Sequence, residues 1–273
     1  AGPDGSDHGD HGDEHGDHGG RPGPAGVPMP AGLAISQDGY TLQPAAQVWP
    51  AGRGEPFTFR IIGPDGRPVT AFQRTHEADL HMIVVRRDLT GYQHLHPTLG
   101  ADGTWSVPLD LPAPGSYRLF TDFVPAPAEG ERATPLTLGA DLQVGGGFQP
   151  APLPEPARTV TVHGYTVTLS GDLTPGTASR LTLSVSRDGE PVRDLEPYLG
   201  AYGHLVMIRS GDLAYLHVHP DGSAGDPDVS PGPDLPFTAE IPSAGAYRLF
   251  LDFRHGGRVH TAEFTAVTPG TTI

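Results

Sequence analysis

DGRPVTAFQRTHEADLHMIVVRRDLTGYQHLHP, residues 65–97, and DGEPVRDLEPYLGAYGHLVMIRSGDLAYLHVHP, residues 188–220, align without a gap at a constant offset of 123, with 11 of 33 positions identical. Downstream, PAPGSYRLFTDF (112–123) matches PSAGAYRLFLDF (242–253), now offset by 130 because the second copy carries a longer loop, DGSAGDPDVSPGPD. Upstream, GYTL at Gly39 echoes GYTV at Gly164. A period this long marks a duplicated domain rather than a solenoid repeat.

Within each copy the apolar runs are short, rich in β-branched and aromatic residues, and closed by DG, SGD or PSAG turns: TVTVHGYTVTL, HLVMIRS, AYLHVH, YRLFLDF. Such runs read as strands, and no helical period competes with them. The expected fold is all-β: two tandem immunoglobulin-like antiparallel β-sandwich domains from an internal duplication, behind a disordered His/Asp-rich tail. The expected boundaries are 1–32 for tail and linker, 33–146 for repeat 1, 147–157 for a Pro-rich linker, and 158–273 for repeat 2.

Composition narrows the chemistry. The 273 residues contain no Cys, which removes disulfides, thiolate metal sites and cysteine nucleophiles together. A net charge of −15 argues against nucleic acid and anionic lipid as partners and suits cation capture. No apolar run is long enough to span a membrane. A first residue Ala1 in place of Met suits a form trimmed after a signal peptide, so the expected location is secreted or attached to the cell envelope, with a lipid anchor before processing as one route.

Residues 1–20, AGPDGSDHGDHGDEHGDHGG, interleave His8, His11, His15 and His18 with carboxylates. A tract of this kind binds divalent metals loosely and has no side chain large enough to anchor a core. The folded repeats offer a sharper constellation: His81, His94 and His96 in the first copy and His204, His217 and His219 in the second, with identical spacings. In each, the first His opens an apolar strand, a polar turn follows, and H-x-H-P closes the return strand. Residues i and i+2 of a strand share a face. A hairpin centred near Asp88 and Leu89 sets His81 opposite His96, so three imidazoles converge, a ligand set suited to Cu(II) or Zn(II).

Asp122 and Asp252, in the matching YRLFxDF strands, are candidates for a fourth ligand. An apolar strand requires a partner for such a carboxylate, which is a metal, a ligand His, or Arg118 and Arg248 in structural pairs. His260 is a further candidate for the second site, with His255 nearby. His76 and His163 have no counterparts in the other repeat and read as surface or loop residues, although Glu77 and Asp79 beside His76 leave it open to the first site.

LHMIVVRRDLTGYQHLHPTLGADGTWSVPLDLPAPGSYRLFTDF and YLGAYGHLVMIRSGDLAYLHVHP resemble a group of actinobacterial secreted or lipoprotein-type proteins described as heavy-metal-binding, across most of residues 36–267. More loosely, the chain is similar to the CopC and YtkA-like copper-resistance proteins. The resemblance implies His-based metal sites on a small β-sandwich. The chain departs from the CopC pattern in lacking an N-terminal His, and Met29, Met82 and Met207 are too few for a thioether Cu(I) site.

The leading expectation is therefore a non-enzymatic protein that binds, buffers or delivers an extracytoplasmic transition metal, copper(II) first and zinc(II) second. Its expected partners are metal ions and a membrane or secreted metal-accepting protein, with the chain a monomer or weak dimer. Two other readings stay open: a structural or interaction β-sandwich whose His pack, and a copper redox enzyme of superoxide-dismutase type.

Overall fold

The computed structural model describes residues 30–127, 129–130 and 132–272. The tail histidines His8, His11, His15 and His18 lie outside the described residues. Among those described there is no helix, and every sheet pairing but one is antiparallel.

The first repeat contains β1 (Ser36–Gln37), β2 (Tyr40–Pro44), β3 (Val48–Trp49), β4 (Gly52–Ile62), β5 (Leu80–Arg86), β6 (Gln93–Leu95), β7 (Thr98–Leu99), β8 (Thr104–Leu111), β9 (Gly115–Phe123) and β10 (Leu136–Val144). They form two sheets, ordered β1-β2-β4-β8-β7 and β3-β10-β9-β5-β6. The second repeat contains β11 (Thr159–Val162), β12 (Tyr165–Ser170), β13 (Ala178–Arg187), β14 (Glu190–Pro191), β15 (Gly203–Arg209), β16 (Tyr215–His217), β17 (His219–Pro220), β18 (Asp234–Glu240), β19 (Ala246–His255) and β20 (Arg258–Val267). Its sheets run β11-β12-β13-β18-β17, with β14 on β13, and β16-β15-β19-β20.

Each repeat closes its own sandwich. Phe57, Phe59, Ile61, Trp105 and Leu119 fill the first core, and Leu181, Leu183, Phe237, Leu249 and Phe264 the second. At the start of β9, Tyr117 donates its hydroxyl to the carbonyl of Ala113 (2.8 Å), and Tyr247 does the same to Ser243 (2.7 Å). This tyrosine corner, present in both copies, is a hallmark of the immunoglobulin-like sandwich.

The two sheets of a repeat differ in burial, and the difference explains their sequences. β4, β8, β13 and β18 alternate buried and exposed positions, as sheets with one wet face do. β5, β9, β15 and β19 are buried on both faces, and LHMIVVR and YRLFLDF are accordingly apolar almost throughout. Their second faces meet each other. Ile83, Val85, Leu89 and Phe120 from the first repeat pack with Val206, Ile208, Leu213, Tyr215 and Phe250 from the second in a third core between the repeats.

That interface has an approximate two-fold character. Tyr92 stacks on Phe250 with ring centroids 4.1 Å apart, and the equivalent Tyr215 lies on the equivalent Phe120 at 5.2 Å. The duplicated domain thus binds its own copy as a symmetric dimer would, through the same patch on both sides.

Two segments expected as linkers make contacts with the folded body. Residues 30–32 belong to the folded body and not to a free linker: Ala31 pairs with Tyr215, Gly32 donates its N–H to Thr137 (3.1 Å), and Arg118 reaches the Gly32 and Leu33 carbonyls. Gly139 admits this segment, since a Cβ there would stand 2.0 Å from the Gly32 oxygen. In the Pro-rich connection, the Ala151 N–H is held by Asp88 (2.8 Å) and Leu153 packs on the interface core, because a segment crossing the seam has apolar surface to cover.

Candidate metal centre

The first hairpin has the expected register. Met82 lies opposite Leu95 and Ile83 opposite His94, which centres the turn on Asp88 and Leu89. Alternation along β5 sends Leu80, Met82 and Val84 into the first core, and His81, Ile83 and Val85 toward the second repeat. His81 therefore sits at the end of the seam between the repeats, and β6 and the residue after it bring His94 and His96 beside it.

His81 Nδ1 is 3.2 Å from His94 Nε2 and 3.2 Å from His96 Nε2. One nitrogen from each ring falls in a group whose members all lie within 4.8 Å of one another. Imidazole nitrogens bound tetrahedrally at the usual zinc distance stand about 3.3 Å apart, so the three rings are already near the spacing that an ion imposes.

The outer nitrogens fix how the rings are protonated. His81 Nε2 donates to the carbonyl of Thr75 (3.1 Å), and His94 Nδ1 donates to Asp252 Oδ2 (2.9 Å). Both partners are acceptors, so in the neutral rings the protons sit there and the facing nitrogens carry lone pairs. Two lone pairs 3.2 Å apart repel unless a proton or cation lies between them. Burial, followed by the neighbouring His94, lowers His81 to about 4, and burial, followed by His94, His81 and His204, lowers His96 to about 3. Both rings are therefore neutral, ligand-competent imidazoles at pH 7.

Of the three partners expected for Asp252, the structure shows a His of the candidate set. Asp252 was expected to serve its own repeat, yet it binds His94 of the other one, and Tyr92 and Thr261 also donate to it (3.4 and 2.6 Å). Its place is behind the ring of a candidate ligand, where a carboxylate would orient that His toward an ion. Asp122 lies opposite His81 in the β5–β9 register, accepts from Thr137 (3.4 Å), and lines the seam next to His204. Neither carboxylate pairs with the Arg of its strand: Arg118 binds Asp141, and Arg248 binds Glu263 (2.5 Å).

The second repeat reproduces the frame. His204 lies opposite Asp252, and Val206 opposite His217, as Ile83 lies opposite His94. His204 Nε2 donates to the Tyr198 carbonyl (2.6 Å), the counterpart of the His81–Thr75 bond, and burial lowers His204 to about 4. After His217 the chain crosses to the other sheet, where His219 pairs with Thr238.

His260 is corrected away from this site. It neighbours Thr261, whose side chain meets Asp252, and strand alternation turns it to the opposite face, against Tyr165 and Phe253. There His163 reaches it, Nδ1 to Nδ1 at 3.1 Å, while His255 is held by Tyr165 and Asp194. His76, by contrast, stands at the seam, its ring centroid 6.3 Å from that of His81 and 5.7 Å from that of His204. The sequence signal for it was weak: a His in a two-residue turn, Thr75–Ala78, where the other repeat has Leu199.

Among solved structures, S-layer protein SbsC domains 4 and 5 align with 10% identity over 86% of this chain and 98% of that one, with a TM-score of 0.23. A chimeric titin Z1Z2–Z1Z2 tandem aligns with 14% identity over 83% and 97%, with a TM-score of 0.21. A putative membrane anchored protein from Corynebacterium diphtheriae aligns with 11% identity over 86% and 58%, with a TM-score of 0.25. No curated protein matches the chain in sequence. One family model matches twice, over residues 35–141 and 160–270, once on each sandwich. The chain belongs to the family described as Domain of unknown function (DUF8832), and it carries that domain in two copies.

Proposed function

We propose that the chain is a transition-metal-binding protein that holds an ion at the seam between its repeats, copper(II) first and zinc(II) second. The observation that carries this reading is the His81, His94 and His96 cluster, one nitrogen of each ring within 4.8 Å of the others, with acceptors behind the His81 and His94 rings. The sequence of the second repeat carries His204, His217 and His219 at the same spacing.

An all-imidazole set favours Cu(II) and Zn(II) over Cu(I). Met82 and Met207 support this choice, since both are fully buried in the sandwich cores away from the seam. Holding an ion rather than turning over a substrate is supported by the small space at the site, a cavity of about 30 Å³. That volume admits a water or an ion and little else. In this reading the acidic His tail collects ions outside the cytoplasm, the seam holds them, and an accepting protein receives them.

The test is Cu(II) and Zn(II) titration of the full chain carrying His8→Ala, His11→Ala, His15→Ala and His18→Ala, with and without His94→Ala/His96→Ala. Stoichiometric uptake that the double substitution removes or reduces is the expected result. No uptake in the tail-silenced chain would leave the clustered His as packing residues.

A further inference from the structure

Three imidazoles leave one position open on an ion that takes four ligands. The cavity of about 30 Å³ beside the first site has walls from both repeats: His81, His94 and Asp122 come from the first, and His204, Val206 and Tyr215 from the second. His204 is therefore a neighbour of the first site across the seam, although it belongs to the other sandwich.

The ring of His204 is prepared as that of His81 is. Its Nε2 donates to the carbonyl of Tyr198 (2.6 Å), as His81 Nε2 donates to that of Thr75 (3.1 Å), so in the neutral ring Nδ1 carries the lone pair. Burial holds the ring in this place. The duplication supplies a second copy of the same device, and the docking of the two sheets brings it beside the site that the first copy forms.

Distance separates a ligand from a bystander. An ion at the usual metal–nitrogen distance lies about 3.2 Å from an imidazole centroid, so two rings on one ion have centroids about 5.2 Å apart in a tetrahedron and at most about 6.4 Å apart, the spacing of a trans pair on tetragonal Cu(II). His81 stands 5.4 Å from His94 and 5.1 Å from His96, and those two stand 4.7 Å apart. His204 stands 6.1 Å from His94, inside the limit. Tyr198 lies edge-on to both His96 (6.1 Å) and His204 (5.6 Å), so one ring spans the gap between them. We infer that His204 takes the fourth position on the ion held by His81, His94 and His96, so that the bound ion ties the two sandwiches together. This deepens the metal reading above and rests on it. The ion strengthens docking, because the docked form offers it four imidazoles and a separated first repeat only three.

The experiment is loading of the full chain, its four tail His replaced by Ala, with substoichiometric Cu(II), read by chelator competition and by the nitrogen couplings in electron paramagnetic resonance, beside His204→Gln. Gln keeps an N–H donor for the Tyr198 carbonyl and brings no imidazole nitrogen. Four nitrogens coupled to the copper are expected in the parent and three in His204→Gln, whose affinity should be lower by about tenfold or more. If His204→Gln does not fold, the nitrogen count of the parent decides alone. Three coupled nitrogens in the parent, or a His204→Gln spectrum and affinity that overlay the parent's, would overturn the bridging ligand while leaving the His81/His94/His96 site standing. Absence of any loading would overturn both readings.

Discussion

Asp252, from the second repeat, accepts a 2.9 Å hydrogen bond from Nδ1 of His94, from the first, across 158 residues of chain. The proton on that ring is thereby set by a residue of the other domain, and the first site is complete only when the two sandwiches are docked.

Removing this carboxylate tests the link. Asp252→Ala frees the His94 ring to rotate and to change tautomer, so affinity at the first site should fall by about 10–100-fold, the usual cost of losing an outer-shell partner. Chelator competition reads the change, and unaltered affinity would show that His94 is oriented by packing alone.

Docking itself rests on the third core. Phe250 is fully buried there, stacked on Tyr92. Phe250→Ala should cost about 3–5 kcal/mol, the range for a large buried aromatic. Because the loss falls between the sandwiches, calorimetry should show two separating transitions where the parent melts in one. A merely lowered single transition would mean that the remaining contacts still couple the repeats.

Metal-free stability should depend on pH in a defined direction. His81 and His204 titrate at about 4 and His96 at about 3 in the folded chain, all below the ordinary 6.5. The unfolded chain therefore binds more protons as pH falls below 6.5, and stability declines from there until the folded rings also titrate, levelling off below about 3. Denaturant midpoints measured from pH 7 downward check the sign, and a midpoint that rises on acidification would contradict it.

The His163–His260 pair lies on the other face of its sheet from Asp252. His260→Ala should leave Cu(II) uptake at the seam unchanged. His163→Ala should raise the titration of His260, which burial and, to a lesser degree, His163 now hold down. Proton-resolved His titration by nuclear magnetic resonance follows the second effect and metal stoichiometry the first.

The repeat, the all-β class and the convergence of His81, His94 and His96 were legible in the sequence because they are local. A 13-then-2 spacing across one hairpin fixes the faces and the register with no help from the rest of the chain. The partner of Asp252 was not legible, because Asp252 sits on a strand beside its own repeat's His204, and only docking brings it to His94. The positions of His260 and His76 were not legible for related reasons. One step along a strand turned His260 away from Asp252, while a short turn carried His76 across a boundary that the sequence does not display.

One trace of that boundary was written in the chain. LHMIVVR and YRLFLDF are apolar on both faces, and a sheet covered on one side has no use for the second set. Sequence alone determined two sandwiches, each with a His hairpin, because strand period and turn chemistry act over a few residues. Tertiary structure decided that the two sheets meet and that Asp252 of one repeat supports His94 of the other, because burying the second apolar face of each sheet requires the other copy, and that burial has no sequence-local signature naming its partner.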